Sequence, residues 1–409
     1  MEAIVERGCG IDVGEATLTA CLVVGKSEEK PRKTLRTFAT VTVELIALRD
    51  WLLSQGCTHV AMEATGVYWI PIFAVLEGYF DITIANAYHI KAVPGRKTDV
   101  KDAEWIADLL RHGLLKKSFV PPGEIRDLRD LVRYRRKLIE GRTSERNRVL
   151  KFLEEANIKL ASVVSDVFGT SGMLMLRALI TGEAAPEEMA RMAKGRMRQK
   201  LRKLELALEG RVQEHHRFLL GLQIRRLEQM EADIALVEAR IQEKLAPFRA
   251  EVDLLITIPG VSELVAAAII AEIGVDMSVF GTAARLSAWA GVCPGNHESA
   301  GKRKKVRTRK GNTYLKTILI EAGNAAGHTK GSYFAEKLRR LQPRLGRNRA
   351  QMALAHKVLV VAFHVLEKKV AYRELGPSYL DTIRSIATTR RLVRRLERMG
   401  YNVQIEKAA

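Results

Sequence analysis

Apolar positions change their spacing along this chain of 409 residues, and the changes divide it into stretches of different structure. In the first 115 residues the apolar runs are short. Residues 8–13 (GCGIDV) and 16–24 (ATLTACLVV) predict two strands on either side of the tight turn Gly14-Glu15, and a third strand is predicted near Leu35–Val41. Leu45, Ile46, Leu48, Leu52 and Leu53 recur at helical spacing across 43–54 and give that helix one broad apolar face. A short apolar strand over His59–Met62 ends at Glu63. A helix is predicted around 68–76, a strand over Ile82–Ala85, and a helix from Asp99 to Leu110. The predicted order is β-β-β-α-β-α-β-α.

Three meandering strands followed by crossover units are the layout of an RNase H-like (RuvC-like) α/β domain, placed here at residues 1–118. Val120-Pro121-Pro122-Gly123 then punctuates the chain. A helical coiled-coil arm is predicted across 119–250. It opens with a basic helix from Glu124 to Glu155, is broken by Phe168–Gly172, and resumes over 173–180 and 186–245. Leu220, Ile224, Leu227, Met230, Ile234, Val237, Ile241 and Leu245 recur at three- and four-residue steps. Such a stripe serves either a dimer or a hairpin within one chain. Next, Leu255–Val261 with its Pro259-Gly260 turn, followed by the apolar helix 263–273, resembles a helix-hairpin-helix, with an ordinary αα-hairpin as the alternative. Helices near 282–290, 312–326, 332–341 and 350–369 complete an all-α C-terminal domain at 251–375, and a basic helical tail occupies 376–409.

Charge narrows the choice of partner. The chain carries 67 Lys+Arg against 47 Asp+Glu, a formal +20, which favours a polyanion and salt-sensitive binding. No membrane is expected, because apolar runs such as Leu264–Ala271 fall short of the roughly 20 residues that span a bilayer. The start, MEAIVERGCGIDVG, is not patterned as a signal peptide. Cys9, Cys21, Cys57 and Cys293 are scattered without a CxxC pair, which fits a reducing cytoplasm and suggests neither disulfides nor zinc.

The acids of the first domain fall at meaningful places. Asp12 lies near the end of the first strand, Glu63 ends the first strand after the crossover helix, and Asp99 and Asp102 share one face of the last helix. In the predicted topology the strands carrying Asp12 and Glu63 are neighbours, so all four carboxylates converge. Packed carboxylates repel unless divalent cations lie between them, and hard oxygen donors suit Mg²⁺, or else Mn²⁺. Each acid also has a local explanation: Asp99 and Asp102 as helix caps, Asp12 as a turn residue, Glu63 as a strand end. Glu104 and Asp108 lie on another face of the same helix and are read as structural.

The second candidate stretch is Pro294–Asn312, PGNHESAGKRKKVRTRKGN. Turn-formers and small residues surround one hydroxyl at Ser299, and seven Lys/Arg fall among the ten residues 301–310. A small-residue turn lets a nucleic-acid backbone approach, and Lys302, Arg303, Lys304, Lys305, Arg307, Arg309 and Lys310 would hold it there. Arg129, Arg133, Arg135 and Arg136 on the basic helix are read as a rail for further phosphates, and Gly260 as a backbone N–H donor to phosphate at a helix start.

Taken together, Asp12 in GIDVG, Glu63 in MEATGVYW, Asp99 and Asp102 in KTDVKDA, then IPGVSELVAAAIIAEIG and LSAWAGVCPGNHESAGKRKKVRTRKGN, resemble the transposases of insertion-sequence family 110. These are DEDD-type enzymes with a catalytic serine, and the resemblance spans about residues 8–375. It implies that Asp12, Glu63, Asp99 and Asp102 bind Mg²⁺ and that Ser299 is the nucleophile forming a phosphoserine link to DNA. It further implies donor and target DNA as substrates, a non-coding bridge RNA as guide, and a dimer or tetramer as the active form. A serine hydroxyl needs activation, and His297 and Glu298 are the only nearby candidates in sequence, so the distant acidic set would supply it. The rival readings are a hydrolytic metal-dependent nuclease and a non-catalytic nucleic-acid scaffold.

Overall fold

The computed structural model describes residues 3–26, 30–87, 90, 102–295, 298–299, 302–303, 308–383 and 385–406, with the backbone alone at 298–299, 302–303 and 386–388. The chain forms two compact units, Met1–Val120 and Pro121–Ala409.

The first unit is built on five strands: β1 (Arg7–Val13), β2 (Thr17–Val24), β3 (Arg32–Ala39), β4 (His59–Glu63) and β5 (Asp81–Ala85). Their order across the sheet is β3-β2-β1-β4-β5. The β1–β2 and β2–β3 pairs are antiparallel, while β4 runs parallel to β1 and β5 parallel to β4. Among the described residues this unit has the helices α1 (Thr42–Ser54), α2 (Trp69–Leu76) and α3 (Asp102–Arg111). The third strand begins and ends earlier than the apolar run near 35–41 suggested, because it pairs along the full length of β2, from Thr17↔Ala39 to Val24↔Arg32.

Side chains alternate across the sheet and so separate two cores. Cys9, Ile11, Leu18, Ala20, Leu22, Val60 and Met62 pack with Leu45, Leu48 and Leu52 of α1 and with Ile72 and Leu76 of α2. On the opposite face, Ala61 and Ala85 pack with Ile106, Leu109 and Leu110 of α3, and Cys21 and Val23 pack with Ala103 and Ala107. The cysteines act here as small apolar groups, and burial pushes the Cys21 and Cys57 thiols up to about 11.

Among the described residues, the second unit is helical apart from a two-strand hairpin. Its long helices are α4 (Gly123–Glu155) and, after α5 (Thr170–Thr181), α6 (Glu214–Leu245). The sequence read 186–245 as helical throughout, but the chain leaves the helix before α6. There Gly210 lies where a Cβ would stand 2.5 Å from the Ala156 carbonyl oxygen, and the Arg211 N–H donates to that oxygen at 2.8 Å. The stripe on α6 is buried inside this chain: Leu220, Ile224 and Leu227 pack with Val149 and Leu153 of α4 and with Met175, Leu176 and Leu179 of α5. Arg135–Glu238, Arg146–Glu231 and Lys244–Asp127 pair α4 with α6 in antiparallel order. The heptad-like spacing thus serves a hairpin within this chain, one of the two readings that the stripe allowed.

The rest of the unit comprises α7 (Arg249–Leu255), α8 (Glu263–Ile273), α9 (Ala283–Ala290), α10 (Thr313–His328), α11 (Tyr333–Leu345), α12 (Arg347–Lys368) and α13 (Ser385–Arg398). By length and composition α12 is apolar enough to cross a bilayer. Its apolar residues Leu354, Ala355, Val358, Leu359, Ala362, Phe363 and Leu366 are instead buried within the unit, against α10 among others. Gly323 of α10 permits that approach, since a Cβ there would lie 2.8 Å from the Ala355 backbone nitrogen.

Candidate active site

The acidic site begins with a glycine. A Cβ on Gly10 would stand 2.3 Å from the Ala107 nitrogen and 2.4 Å from the Ala103 oxygen, so only glycine lets α3 lie directly on β1. That contact places Asp102, the residue before Ala103, beside the end of β1. Asp12 and Asp102 accordingly line one cleft of about 400 Å³ with Thr19, Leu35, Arg36, Thr37 and Ala103.

Register brings in the third acid. Ile11 is opposite Met62 in the parallel β1–β4 pair, so the next step along both strands sets Asp12 beside Glu63. Both residues belong to the face that α3 covers, because Gly10 and Ala61 on that face meet α3 while Ile11 and Met62 face α1 and α2. The Thr65 hydroxyl donates to the Glu63 carboxylate at 3.3 Å. Asp12 is exposed, and Glu63 and Asp102 are half-buried. Asp99 lies outside the described residues. Among the described residues, no three His, Cys, Asp or Glu side chains sit close enough to hold a metal ion by themselves. The donors present fit Mg²⁺ in kind, being carboxylate oxygens at the carboxyl ends of β1 and β4 and at the start of α3. Glu104 pairs with Lys33 and Asp108 with His112, which gives these two acids structural partners.

The serine stretch lies in the second unit. β6 (Glu298–Ser299) pairs antiparallel with β7 (Lys302–Arg303), setting Ser299 opposite Lys302, and Pro294 bridges to Thr308. The base of this loop is closed by two glycines. Gly291, at φ +71°, has the Gly311 Cα 3.0 Å from where a Cβ would be, and a Cβ on Gly311 would lie 2.5 Å from the Gly291 nitrogen. Arg309 and Lys310 are exposed, while Lys304, Lys305 and Arg307 lie outside the described residues.

The arginines of the expected rail have partners within the chain. Arg133 clamps the Glu272 carboxylate with bonds of 2.7 and 2.8 Å, and Arg129 donates to the Ala271 and Glu272 carbonyls, at 2.9 Å each. Burial lowers the Arg129 guanidinium to about 10 against the opposing pull of Glu272, which leaves it charged at neutral pH. Arg135 pairs with Glu238, and Arg136 with Glu140 and Glu321. These acids are distant in sequence, apart from Glu140, and reach the arginines only in the folded chain. Gly260 has a packing reason as well: at φ +82°, a Cβ would stand 2.3 Å from the Ala322 oxygen of α10.

Sequence reasoning missed Glu272. Its side chain is 1% exposed, and it lies within the otherwise apolar run AAAIIAEIG of α8. A carboxylate in such a run was itself the signal, since a buried charge requires partners.

Two family models match this chain. Residues 9–158, which include Asp12, Glu63, Asp99 and Asp102, match the DEDD transposase model of IS110 type. Residues 252–339, which include Ser299, match the model described as Transposase IS116/IS110/IS902 family. A probable family 20 transposase of Pseudomonas aeruginosa is 27% identical over 332 residues, covering 80% of this chain and 89% of its own. The transposase for insertion sequence element IS1111A of Coxiella burnetii is 26% identical over 328 residues, covering 78% and 80%. A putative transposase of Sinorhizobium fredii is 26% identical over 330 residues, covering 78% and 75%. With an acidic cleft on an α/β unit and a basic serine loop on a helical one, these matches define the class: a transposase, an enzyme that cuts and rejoins DNA. The chain belongs to the IS110 family of insertion-sequence transposases.

Proposed function

We propose that this transposase works through a covalent serine intermediate, with Asp12, Glu63, Asp99 and Asp102 as the acidic set of an RNase H-like domain. The observation that carries this reading is the β1–β4 register, which sets Asp12 beside Glu63 on the face where α3 brings Asp102. The strand order β3-β2-β1-β4-β5, with three antiparallel strands followed by two parallel ones, supports the RNase H-like assignment. The four carboxylates would hold Mg²⁺, which when bound supplies charge stabilisation to an attacking and a departing oxygen.

The chain's own residues do the rest. Ser299 Oγ forms a bond to a DNA phosphorus as its proton leaves, and the phosphodiester P–O bond to one sugar breaks, its oxygen taking up a proton. The phosphodiester energy is kept in the phosphoserine, so rejoining by a DNA hydroxyl needs no nucleotide cofactor. Lys302, Arg303 and the neighbouring cations of the basic run offset the charge that gathers on phosphorus. In sequence, Ser299 is followed by Ala300 and Gly301, two residues with little side-chain bulk. Helix-hairpin-helix contacts from the turn before α8, a bridge RNA, an active dimer or tetramer and a place at the bacterial nucleoid belong to the same reading and rest on the family resemblance.

The test is a denaturing gel of purified protein with Mg²⁺, flanking RNA and end-labelled circular-junction DNA. Wild type should give a slow, protease-sensitive protein–DNA band that Ser299→Ala and Asp102→Ala both abolish. Strand cutting without that band, persisting in Ser299→Ala, would leave a hydrolytic nuclease instead.

A further inference from the structure

Glu272 is surrounded by more donors than a carboxylate needs for charge balance. Arg133 binds it with Nε and one terminal nitrogen, Arg129 approaches to 3.5 Å, and the Asn312 side-chain amide donates to it at 2.5 Å. The two guanidiniums alone exceed its charge, so Asn312 is not required to neutralise it. What Asn312 adds is a connection. Its carbonyl oxygen accepts from the Leu315 N–H and caps α10, while its amide reaches back to α8.

Asn312 is also the second residue after the basic run, and Gly311 before it forms the closed base of the serine loop against Gly291. Two further contacts tie the start of α10 to its surroundings. The Tyr314 ring lies 4.5 Å beneath the Arg133 guanidinium, and Lys316 donates to the Thr308 hydroxyl at 2.9 Å. The exit of the loop is therefore held from α4 and α8 together, and Glu272 is the atom group they share. Because Glu272 is buried, it cannot touch DNA itself.

We propose that Glu272 is a positioning residue: through Asn312 it clamps the base of the 292–311 loop to the α4–α8 core and thereby fixes where Ser299 is presented. The inference rests on the serine reading above for its catalytic consequence, and on the described contacts alone for the clamp. The bond also gives α4 a role in the serine site that does not require its arginines to meet nucleic acid.

The experiment uses the full-length protein and Asn312→Ser, which keeps a hydroxyl cap for α10 but removes the amide donor. Asn312→Asp is the second variant, since it keeps the cap and sets a carboxylate against Glu272. Amide hydrogen exchange of the peptide spanning 292–311 should speed up by about tenfold in Asn312→Ser and by more in Asn312→Asp, as expected for losing a buried charge-assisted bond. In Asn312→Ser the thermal midpoint and half-saturating DNA concentration should stay near wild type, while the first-order rate of adduct formation falls by about tenfold through misplacement of the nucleophile. Unchanged loop exchange in both variants overturns the clamp. A rate loss seen only as weaker DNA binding, or only in proportion to lost global stability, overturns the positioning role. Absence of any adduct from wild type would sink the serine reading, and loop exchange would still decide the clamp.

Discussion

Replacing Gly10 with alanine tests how the acidic cleft is assembled. The added Cβ would stand 2.3 Å from the Ala107 nitrogen and 2.4 Å from the Ala103 oxygen, against 3.4 Å or more for an ordinary contact, so β1 and α3 must part by roughly 1 Å. Both obstacles are backbone atoms of one helical turn, and no side chain can rotate away to make room. Overpacking of this kind costs about 3 kcal/mol, and a displacement of about 1 Å at the neighbouring Asp102 is enough for a loss of about a hundredfold in rate. Gly8→Ala is the matched control on the same strand and face. Its Cβ would be tight only against the Val5 and Leu110 side chains, at 3.1 and 3.2 Å, which can yield, while the His59 carbonyl oxygen at 3.7 Å is an ordinary contact, so its cost should be under about 1 kcal/mol. Urea unfolding followed by tryptophan fluorescence reports this unit, because Trp51, Trp69 and Trp105 lie in it and Trp289 in the other. Metal-dependent strand cleavage provides the rate. Equal destabilisation by the two alanines, or full activity in Gly10→Ala, would refute the argument that Gly10 sets the position of Asp102.

Three further outcomes follow from the second unit. Gly260→Ala combines a positive φ with a Cβ 2.3 Å from the Ala322 oxygen, so it should destabilise by about 2–4 kcal/mol in urea titrations. Intact stability with weakened DNA binding would return Gly260 to a phosphate-contacting role. Glu272→Ala leaves Arg129 and Arg133 without their shared carboxylate and should cost about 3–5 kcal/mol, with Glu272→Gln costing less, by the same titration. Equal, small losses would show that the buried ion cluster contributes little. Hydrogen bonds from Arg339 and then Arg340 pull the Glu336 carboxyl down to about 2, so this pairing stabilises above the ordinary glutamate range and is lost as pH falls from about 4.5 towards 2. Wild type should therefore exceed Glu336→Gln by about 1 kcal/mol near neutrality, with the gap closing across that acid window in thermal melts at stepped pH. A gap independent of pH would sink this account.

Local pattern carried most of the first unit. The alternation in GCGIDV and ATLTACLVV, and the strand end at Glu63, are properties of a few consecutive residues, and the structure places strands there. The neighbouring of Asp12 and Glu63 was legible because strand order follows from crossover topology. What stayed hidden depends on residues far apart in sequence. Nothing near Gly10 announces that α3 will lie on it, although a glycine two residues before an aspartate in a strand is a sign of close approach. Similarly, the stripe on α6 has the same spacing whether it meets a second chain or α4 of its own, and only the fold chooses between them. The partners of the basic helix α4 were hidden for the same reason: its arginines look unpaired in sequence because Glu238 and Glu272 lie more than a hundred residues away.

That pairing bears on where the net charge of +20 acts. On α4, Arg129 and Arg133 bind Glu272, Arg135 binds Glu238, Arg136 and Lys137 bind Glu140, Arg146 binds Glu231 and Arg148 binds Glu145. A cation already paired with a carboxylate releases little when it meets a phosphate, because the gain is offset by the pair it leaves. The run 301–310, in contrast, has seven Lys/Arg and no acid. Among the described residues of that run, Arg309 and Lys310 are exposed and make no ion pair. The slope of log binding constant against log salt should then fall by about 0.9 for each duplex phosphate contact removed, and Arg309→Ala with Lys310→Ala should lower it by up to about 2. Arg135→Ala with Arg136→Ala should leave the slope near wild type and show instead a stability loss of about 1 kcal/mol. Anisotropy titrations of labelled duplex from 50 to 200 mM salt, the range over which such contacts are resolved, measure both. A slope reduced equally by the α4 pair would mean that its ion pairs open for nucleic acid and that α4 serves as the rail.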